Sequence, residues 1–414
     1  MAAAETITEL TRFEGRLAGS DAERRTASWL ARELQATGRE VRLESFWCRP
    51  NWALAHAWHV ALGLAGSLVS VHSPRIGGAL ILAALLSIIT DVLLGVSPGR
   101  LLTRQRASQN VVARAREPVE GPATAGKPCL ILTANLDAGR TGLVYRELPR
   151  SLTALLSRSL GAITPGWLGW LSLTMIWLLA VAVARLQGSS GGPIGVLQLL
   201  PTVVLVLALA LLIDIGTSAS SPAASDNGSG VAVAVQLARA LDVAPPRHVR
   251  VDVILQGAGD TFGIGLRRHL RNHKHELRPR NTIVIGVAAC GAGRSRWWRS
   301  DGQFVPLRYA RPLNELCAGV ASEQPGLQAR PHSGRGATPA LAARAAQLPS
   351  IAIGCLDERG LAPRSHQDSD TAEHIDASAL DSTVELGLLL IDAVDEFLRE
   401  RGAQPAGKAT PARA

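Results

Sequence analysis

The 414-residue chain is poor in the residues that most simply identify many function classes. Lysine occurs only at 127, 274 and 408, so nearly all of the 43 basic residues are arginine, against 34 acidic ones. The resulting +9 charge invites a nucleic-acid reading. The arginines are scattered, however, and no basic stripe interleaved with aromatics appears, so no nucleic-acid partner is expected. The five cysteines, Cys48, Cys129, Cys290, Cys317 and Cys355, form no CxxC pair, which argues against a disulfide framework and a zinc ribbon. The N-terminal MAAAETITELTRFEG lacks the basic, apolar and small-residue regions of a signal peptide, so the first segment is expected to stay where it is made.

Long apolar runs, by contrast, are present. Residues 52–71, 76–96, 167–184 and 194–215 are nearly uncharged, and each approaches the ~20 residues that cross a bilayer as a helix. They form two hairpins with short turns at 72–75 and 185–193. Each hairpin returns to the side it left, so the rest of the chain is expected on one face. Arg100, Arg104, Arg106, Arg146, Arg150 and Arg158 flank the spans there, which predicts a cytoplasmic soluble part and a four-span plasma-membrane protein, with the lipid bilayer as partner. Trp47, Trp52, Trp58, Trp167, Trp170 and Trp177 lie near or within the spans, and those close to their ends are candidates for interfacial anchors. Asp91 falls inside the second span. It reads as a functional acid or, with more weight, as a near-terminal residue that snorkels to the headgroups. Asp214 reads as interfacial.

Removing the hairpins leaves alternating strand and helix patterns. Ser20-x-x-Glu23 has the form of a capping box opening a helix through Leu30 and Leu34, stopped by Gly38. Strands are predicted at 41–46, 110–115, 129–134, 249–256, 282–289 and 350–354, the second and third as a pair around a Pro/Gly-rich turn. Helices are predicted at 230–241, 265–270, 313–321, near 339–347 and at 378–398. This is an α/β domain with a mostly parallel mixed sheet, interrupted by the two hairpins. The expected divisions are 1–50, 98–161 and 217–400 for the soluble domain, 51–97 and 162–216 for the hairpins, and 401–414 as a disordered tail.

Ligands of such sheets gather at the carboxyl ends of strands. Those ends carry Asn135-Leu136-Asp137, Asp226-Asn227-Gly228-Ser229-Gly230 at a helix entrance, Gly257-Ala258-Gly259-Asp260, and His366 followed by Asp370. Carboxylates and an imidazole in this placement suit zinc. Singly each signal is weak: Asp226 reads as a helix cap, His366 as a loop residue and Asp260 as a turn starter. Their order and spacing carry the inference.

These blocks resemble the co-catalytic zinc exopeptidases, which include bacterial leucyl aminopeptidases, glutamate carboxypeptidases and glutaminyl cyclases. The resemblance also takes in Gly15-Arg16-Leu17-Ala18-Gly19-Ser20, Asn110-Val111-Val112-Ala113-Arg114, and Asp370-Thr371 with Ile375-Asp376. It implies a phosphorylase/hydrolase-like three-layer fold. It also implies metal ligands at Asp226, the bridging carboxylate, at Asp260, in place of a family Glu, and at His366. The second metal position departs from the family: its His is Asn135, and its remaining Asp falls near Ala288, although the supporting acid Asp137 remains. The position of the general base is Gly259. One zinc ion is therefore expected, with no certain catalytic residue. Asp137, His332 or Asp368 could replace the base only if the fold brings them close. The leading expectation is a membrane-anchored, catalytically degenerate peptidase fold that binds a peptide ligand. The alternatives are a single-zinc aminopeptidase or acyl-transfer enzyme acting on peptides or amides, and a transporter-type protein resting on Asp91.

Overall fold

The computed structural model describes residues 3–115, 127–160 and 165–403. The turn at 116–126 and the tail beyond 403 lie outside these residues, as does the expectation of disorder there.

In chain order the elements are α1 (Ala3–Thr11), α2 (Asp21–Gln35), β1 (Glu40–Cys48), α3 (Trp52–Ser70), α4 (Pro74–Leu94), α5 (Pro98–Leu101), β2 (Arg106–Arg114) and β3 (Cys129–Asn135). They continue with α6 (Glu147–Leu160), α7 (Trp167–Leu186), α8 (Gly192–Thr217), α9 (Gly230–Val243), β4 (Arg250–Gln256), α10 (Ile264–Asn272) and β5 (Thr282–Val287). The last are β6 (Arg294–Asp301), β7 (Leu307–Arg308), α11 (Arg311–Glu323), β8 (Arg330–Ser333), α12 (Leu341–Ala345), β9 (Ser350–Leu356) and α13 (Ala377–Ala403). The sheet runs β1-β2-β4-β3-β5-β9-β6-β7, with β8 beside β6. Its centre, β4-β3-β5-β9, is parallel and its flanks are mainly antiparallel.

The central strands read Cys-Leu-Ile-Leu-Thr-Ala-Asn and Thr-Ile-Val-Ile-Gly-Val and are buried throughout, as strands covered on both faces must be. One face packs on α2, α9 and α13 through Leu30, Leu130, Val233, Leu237 and Leu390. The other packs on α10 and α12 through Ile131, Ile254, Leu266 and Ala343. This is the three-layer α/β arrangement expected.

Several local expectations are corrected. β2 and β3 do not pair: β4 lies between them, antiparallel to β2 and parallel to β3. Short apolar runs flanking a turn favour a hairpin locally, but the hydrogen bonds of β3 are better used inside the parallel sheet. Ser20 caps α2 by accepting from Glu23 N at 3.1 Å, yet Glu23 does not close the box on Ser20. Its carboxylate accepts from Gly19 N, Ser108 Oγ and Ala258 N. The helices α1 and α6 and the strand β6 were not foreseen. In Arg-Ser-Arg-Trp-Trp-Arg-Ser-Asp the arginines mask a strand whose Trp297 and Trp298 are buried.

The helices α3, α4, α7 and α8 pack together, with mean hydropathies of 1.3, 2.3, 1.9 and 2.8, long and apolar enough to cross a membrane. Their shared core includes Val60, Ile81, Ile88, Met175 and Leu205. Asp91 lies in the last turn of α4, with its side chain enclosed by neighbouring helices. It is 3% exposed and takes a two-pronged bond from Arg100, at 2.7 Å on each oxygen, plus one from Ser97 Oγ. His56 Nε2 stands 3.5 Å away. The acid thus joins α3, α4 and α5. Trp52 and Trp167 also turn inward, their rings 5.4 Å apart, with Phe262 against Trp52. Trp47, Trp58, Trp170 and Trp177 stay exposed. Asp214, at the end of α8, accepts from Leu143 N at 2.6 Å.

Candidate active site

The sheet delivers its acids to one edge. Asp137 follows β3, Asp260 follows β4, Asp226 precedes α9, and His366 lies in the loop between β9 and α13. Arg16 clamps two of these loops. Its guanidinium, 2% exposed, donates to the carbonyls of Leu136, Pro222 and Ala223, while its own carbonyl accepts from Ala138 N. Burial lowers its pKa to about 10. This gives a physical role to the Gly15–Ser20 block.

Asp226, Asp260 and His366 come together. His366 Nε2 lies 3.5 Å from Asp260 Oδ1 and 3.8 Å from Asp226 Oδ2. Its Nδ1 is 2.9 Å from the Arg140 carbonyl, which accepts the ring proton and leaves Nε2 facing the carboxylates. The ring stacks on Tyr145 at 4.4 Å. Ligand atoms about 2.0–2.2 Å from a tetrahedral zinc are about 3.3–3.6 Å from one another. His366 is thus within ligand range of each carboxylate, but the three donor atoms do not all lie within 4.8 Å of one another, so the side chains stand wider apart than a tetrahedral zinc shell.

Other groups hold the acids in place. Asp370 accepts from Ser225 N at 2.8 Å and Asp226 N at 3.0 Å, and Ser365 Oγ donates to Asp226. The peptide bond from Asp226 to Asn227 is cis. Asp137 accepts from Gly259 N at 2.7 Å and more loosely from Asp260 N. Trp52 and Asp260 line the same two cavities. Burial raises the carboxyl pKa of Asp260, and burial with the nearby Glu23 and Asp260 charges raises that of Asp137. Burial also raises Asp370, to about 6, against the backbone bonds that favour its charge. For His366 burial opposes protonation, but the Asp260 and Asp226 carboxylates outweigh it and raise the pKa.

The second metal position has no comparable set. Asn135 and Ala288 line the same cavity, and neither offers an anionic oxygen or an imidazole. Asn135 Oδ1 is buried without a hydrogen-bond partner among the described residues. The side chain lies over Gly259: a Cβ built there would be 2.4 Å from Asn135 Oδ1 and 2.7 Å from Asn135 Cβ. Asparagine at 135 and glycine at 259 are thus spatially coupled. Of the substitutes considered for the base, Asp137 is adjacent but engaged with backbone, His332 lines the cavity with its ring against Trp298, and Asp368 is exposed.

Sequence reasoning missed Tyr145, Arg140, Ser365 and Trp52. Tyr145 is one of only two tyrosines, which was the one available signal. It also missed Glu44, His269 and His273. Among the described residues, this is the trio whose donor atoms all lie within 4.8 Å of one another. The His-x-x-x-His spacing puts both rings on one face of α10, where Nδ1 of His269 and Nε2 of His273 bond the two oxygens of Glu44 at 2.8 and 3.1 Å. The trio braces α10 against β1, away from the acids at the sheet edge.

Comparison with known proteins agrees with this architecture. Residues 213–391 match peptidase family M28. The zinc aminopeptidase of Bacillus subtilis shares the fold with a TM-score of 0.54 at 14% identity, over 95% of this chain and 94% of that one. A leucine aminopeptidase precursor of Bacteroides thetaiotaomicron gives 0.54 at 14% identity, over 94% and 96%. The glutaminyl cyclase of Porphyromonas gingivalis gives 0.52 at 12% identity, over 94% and 96%. No curated protein sequence matches the chain. The family found over residues 213–391 is the one that the motif blocks resemble.

Proposed function

We propose, with an M28-type fold as the premise, that this chain is a membrane-anchored protein that binds one zinc ion at Asp226, Asp260 and His366 and has lost base-assisted hydrolysis. The observation that supports this most directly is the contrast at one strand edge: His366 lies within 4 Å of both Asp226 and Asp260, while Asn135 fills the space beside Gly259. A zinc ion at such a site polarises a carbonyl and lowers the pKa of bound water. Asp137 orients the loop of Asp260, and Asp370 orients Asp226. Among the described residues, and apart from the proposed ligand Asp260, no carboxylate or imidazole beside Gly259 stands free to take a proton from water, and general-base catalysis is worth roughly 10²–10⁴-fold. A peptide or amide would therefore bind and turn over slowly at best. Membrane anchoring rests on the four apolar helices, whose outward residues include Leu86, Leu199 and Leu207. The arginines that flank them favour a cytoplasmic α/β domain.

A second reading, a slow single-zinc hydrolase or acyl-transfer enzyme, is favoured by the oriented ligand trio and by the fold shared with glutaminyl cyclases. Zinc content of the purified full-length protein tests both. About one ion per chain is expected at the ligand trio, lost in Asp226→Ala and His366→Ala. A His269→Ala/His273→Ala variant accounts for any metal held by the brace on α10. Wild-type protein without zinc after supplementation would sink both readings. Zinc with hydrolysis of an aminoacyl amide that vanishes in His366→Ala would select the second.

A further inference from the structure

Two cavities meet at Asp260 and Trp52. One, of about 680 Å³, opens on the α/β side and is lined by polar groups such as Arg296, Arg335, Arg359 and His332. The other, of about 820 Å³, is lined by residues of α3 and α8 as well as by the sheet edge. It begins at Asp137, Arg140 and Asp260, then passes between α3 and α8 along Leu54, Ala57, Ala61, Leu209 and Ile213. The residues contributed by these two helices include no charged side chain. At its outer end Trp58 and Ile213 are half exposed, on the surfaces read above as facing lipid. Arg104 and Arg106, both exposed, stand with Arg140 around the polar end.

We propose that this second cavity binds a single-chain anionic amphiphile taken from the membrane, its tail between α3 and α8 and its head beside Asp260. The proposal rests on the membrane reading above and adds a ligand class to it. Three arginines at the polar end supply the charge complementarity that an anionic head needs. The small side chains of Ala57 and Ala61 leave the space that an alkyl chain fills. Pockets of 300–1,000 Å³ enclose about one drug-sized molecule, which suits one chain and not a two-chain phospholipid. Because Asp260 lines the cavity, a carbonyl or amide next to the head would lie beside one of the residues that would hold zinc. The ligand could enter sideways from lipid, without crossing the polar cavity.

The test uses full-length protein in phosphatidylcholine nanodiscs and a photoreactive N-dodecanoylglycine carrying a diazirine in its chain. Cross-links are expected in residues 52–61 and 209–213. Unlabelled N-dodecanoylglycine should compete, while N-acetylglycine and dodecyltrimethylammonium at equal concentration should not. Leu209→Trp, at a partly exposed position, and Ala57→Trp should each block labelling. Arg104→Gln with Arg106→Gln should weaken competition about fivefold. Labelling spread evenly over the outer faces of all four helices and unchanged by either tryptophan would overturn the proposal, as would equal competition by the cationic amphiphile. If Ala57→Trp fails to fold, Leu209→Trp decides alone. Zinc measured on the same samples separates the readings. Selective labelling without zinc removes the metal reading and keeps this one; zinc without selective labelling does the reverse. Protein that remains in solution without detergent and never enters nanodiscs removes both the membrane reading and this proposal.

Discussion

The α/β domain and the four-helix unit distribute their residues in opposite ways. In the domain, Leu, Ile and Val fill the interior and charged residues cover the outside of α2 and α13. In the helical unit many large apolar residues face outward, including Leu68 at 60%, Leu93 at 70% and Leu199 at 62% exposure. Its interior holds Gly63, Gly66, Ser67, Ser70, His56, His59 and Asp91 alongside the apolar core. Polar groups bond one another across helices there. Gln198 Nε2 donates to Ser67 O at 2.6 Å and also to Ser67 Oγ and Ser70 Oγ. In water, burial of apolar surface organises a fold. On the membrane reading proposed above, the surroundings of the helices are as apolar as their side chains, and close packing of small residues and interhelical hydrogen bonds would take over.

The comparison breaks most completely at the contact between α3 and α4. A Cβ on Gly77 would be 2.4 Å from Ser70 N and 2.5 Å from Gly66 O. Gly77→Val is expected to prevent the hairpin from closing, with no folded protein recovered on size-exclusion chromatography in detergent. The buried ion pair comes next. Arg100→Leu leaves Asp91 uncompensated and is expected to cost about 3–5 kcal/mol, whereas the double change Asp91→Leu/Arg100→Leu should recover much of it. Thermal unfolding of the three variants reads this, and equal losses in single and double variants would show that the pair only packs. In the domain, Leu130→Ala in the fully buried β3 should cost about 2–5 kcal/mol through the cavity it leaves.

A subtler effect separates the domain's interior from the helices by pH. Burial, against the bonds from Gly19, Ser108 and Ala258, raises Glu23 from 4.5 to about 7. Between these values the folded state holds a proton that the unfolded chain has released. This contribution is therefore full below pH 4.5 and is lost as pH rises through 7, by at most about 3 kcal/mol. Glu23→Gln should flatten the melting temperature between pH 5 and 7.5, and an unchanged slope would place the titration elsewhere. The smallest effect concerns catalysis. Gly259→Glu alone should restore no measurable hydrolysis, because Asn135 occupies the space, while Gly259→Glu with Asn135→Gly gives the carboxylate room. A rate gain in the double variant over the single one, measured on an aminoacyl amide, would show that steric coupling and not metal loss limits turnover.

Much of this was legible in the sequence. The apolar runs located all four long helices, because hydropathy over that length has few competing explanations. The strand ends carried Asp226, Asp260 and His366 in an order that survives folding, and the blanks at Asn135, Gly259 and Ala288 were visible beside them. The β2–β3 pairing was not legible, since local pattern does not report which strand inserts between two others. Neither was β6, whose arginines hide its period.

The sequence by itself determined the long apolar helices, most of the central strands, the order of Asp226, Asp260 and His366 along the chain and the glycine at 259, because each of these is a property of residue type and local period. Only the tertiary structure decided three further matters. It paired Asp91 with Arg100, it placed Asn135 against Gly259, and it set Asp260 at a cavity between α3 and α8. The physical reason is the same each time: these contacts join residues from different elements, and their distances are set by how helices and sheet pack and not by the order of the chain.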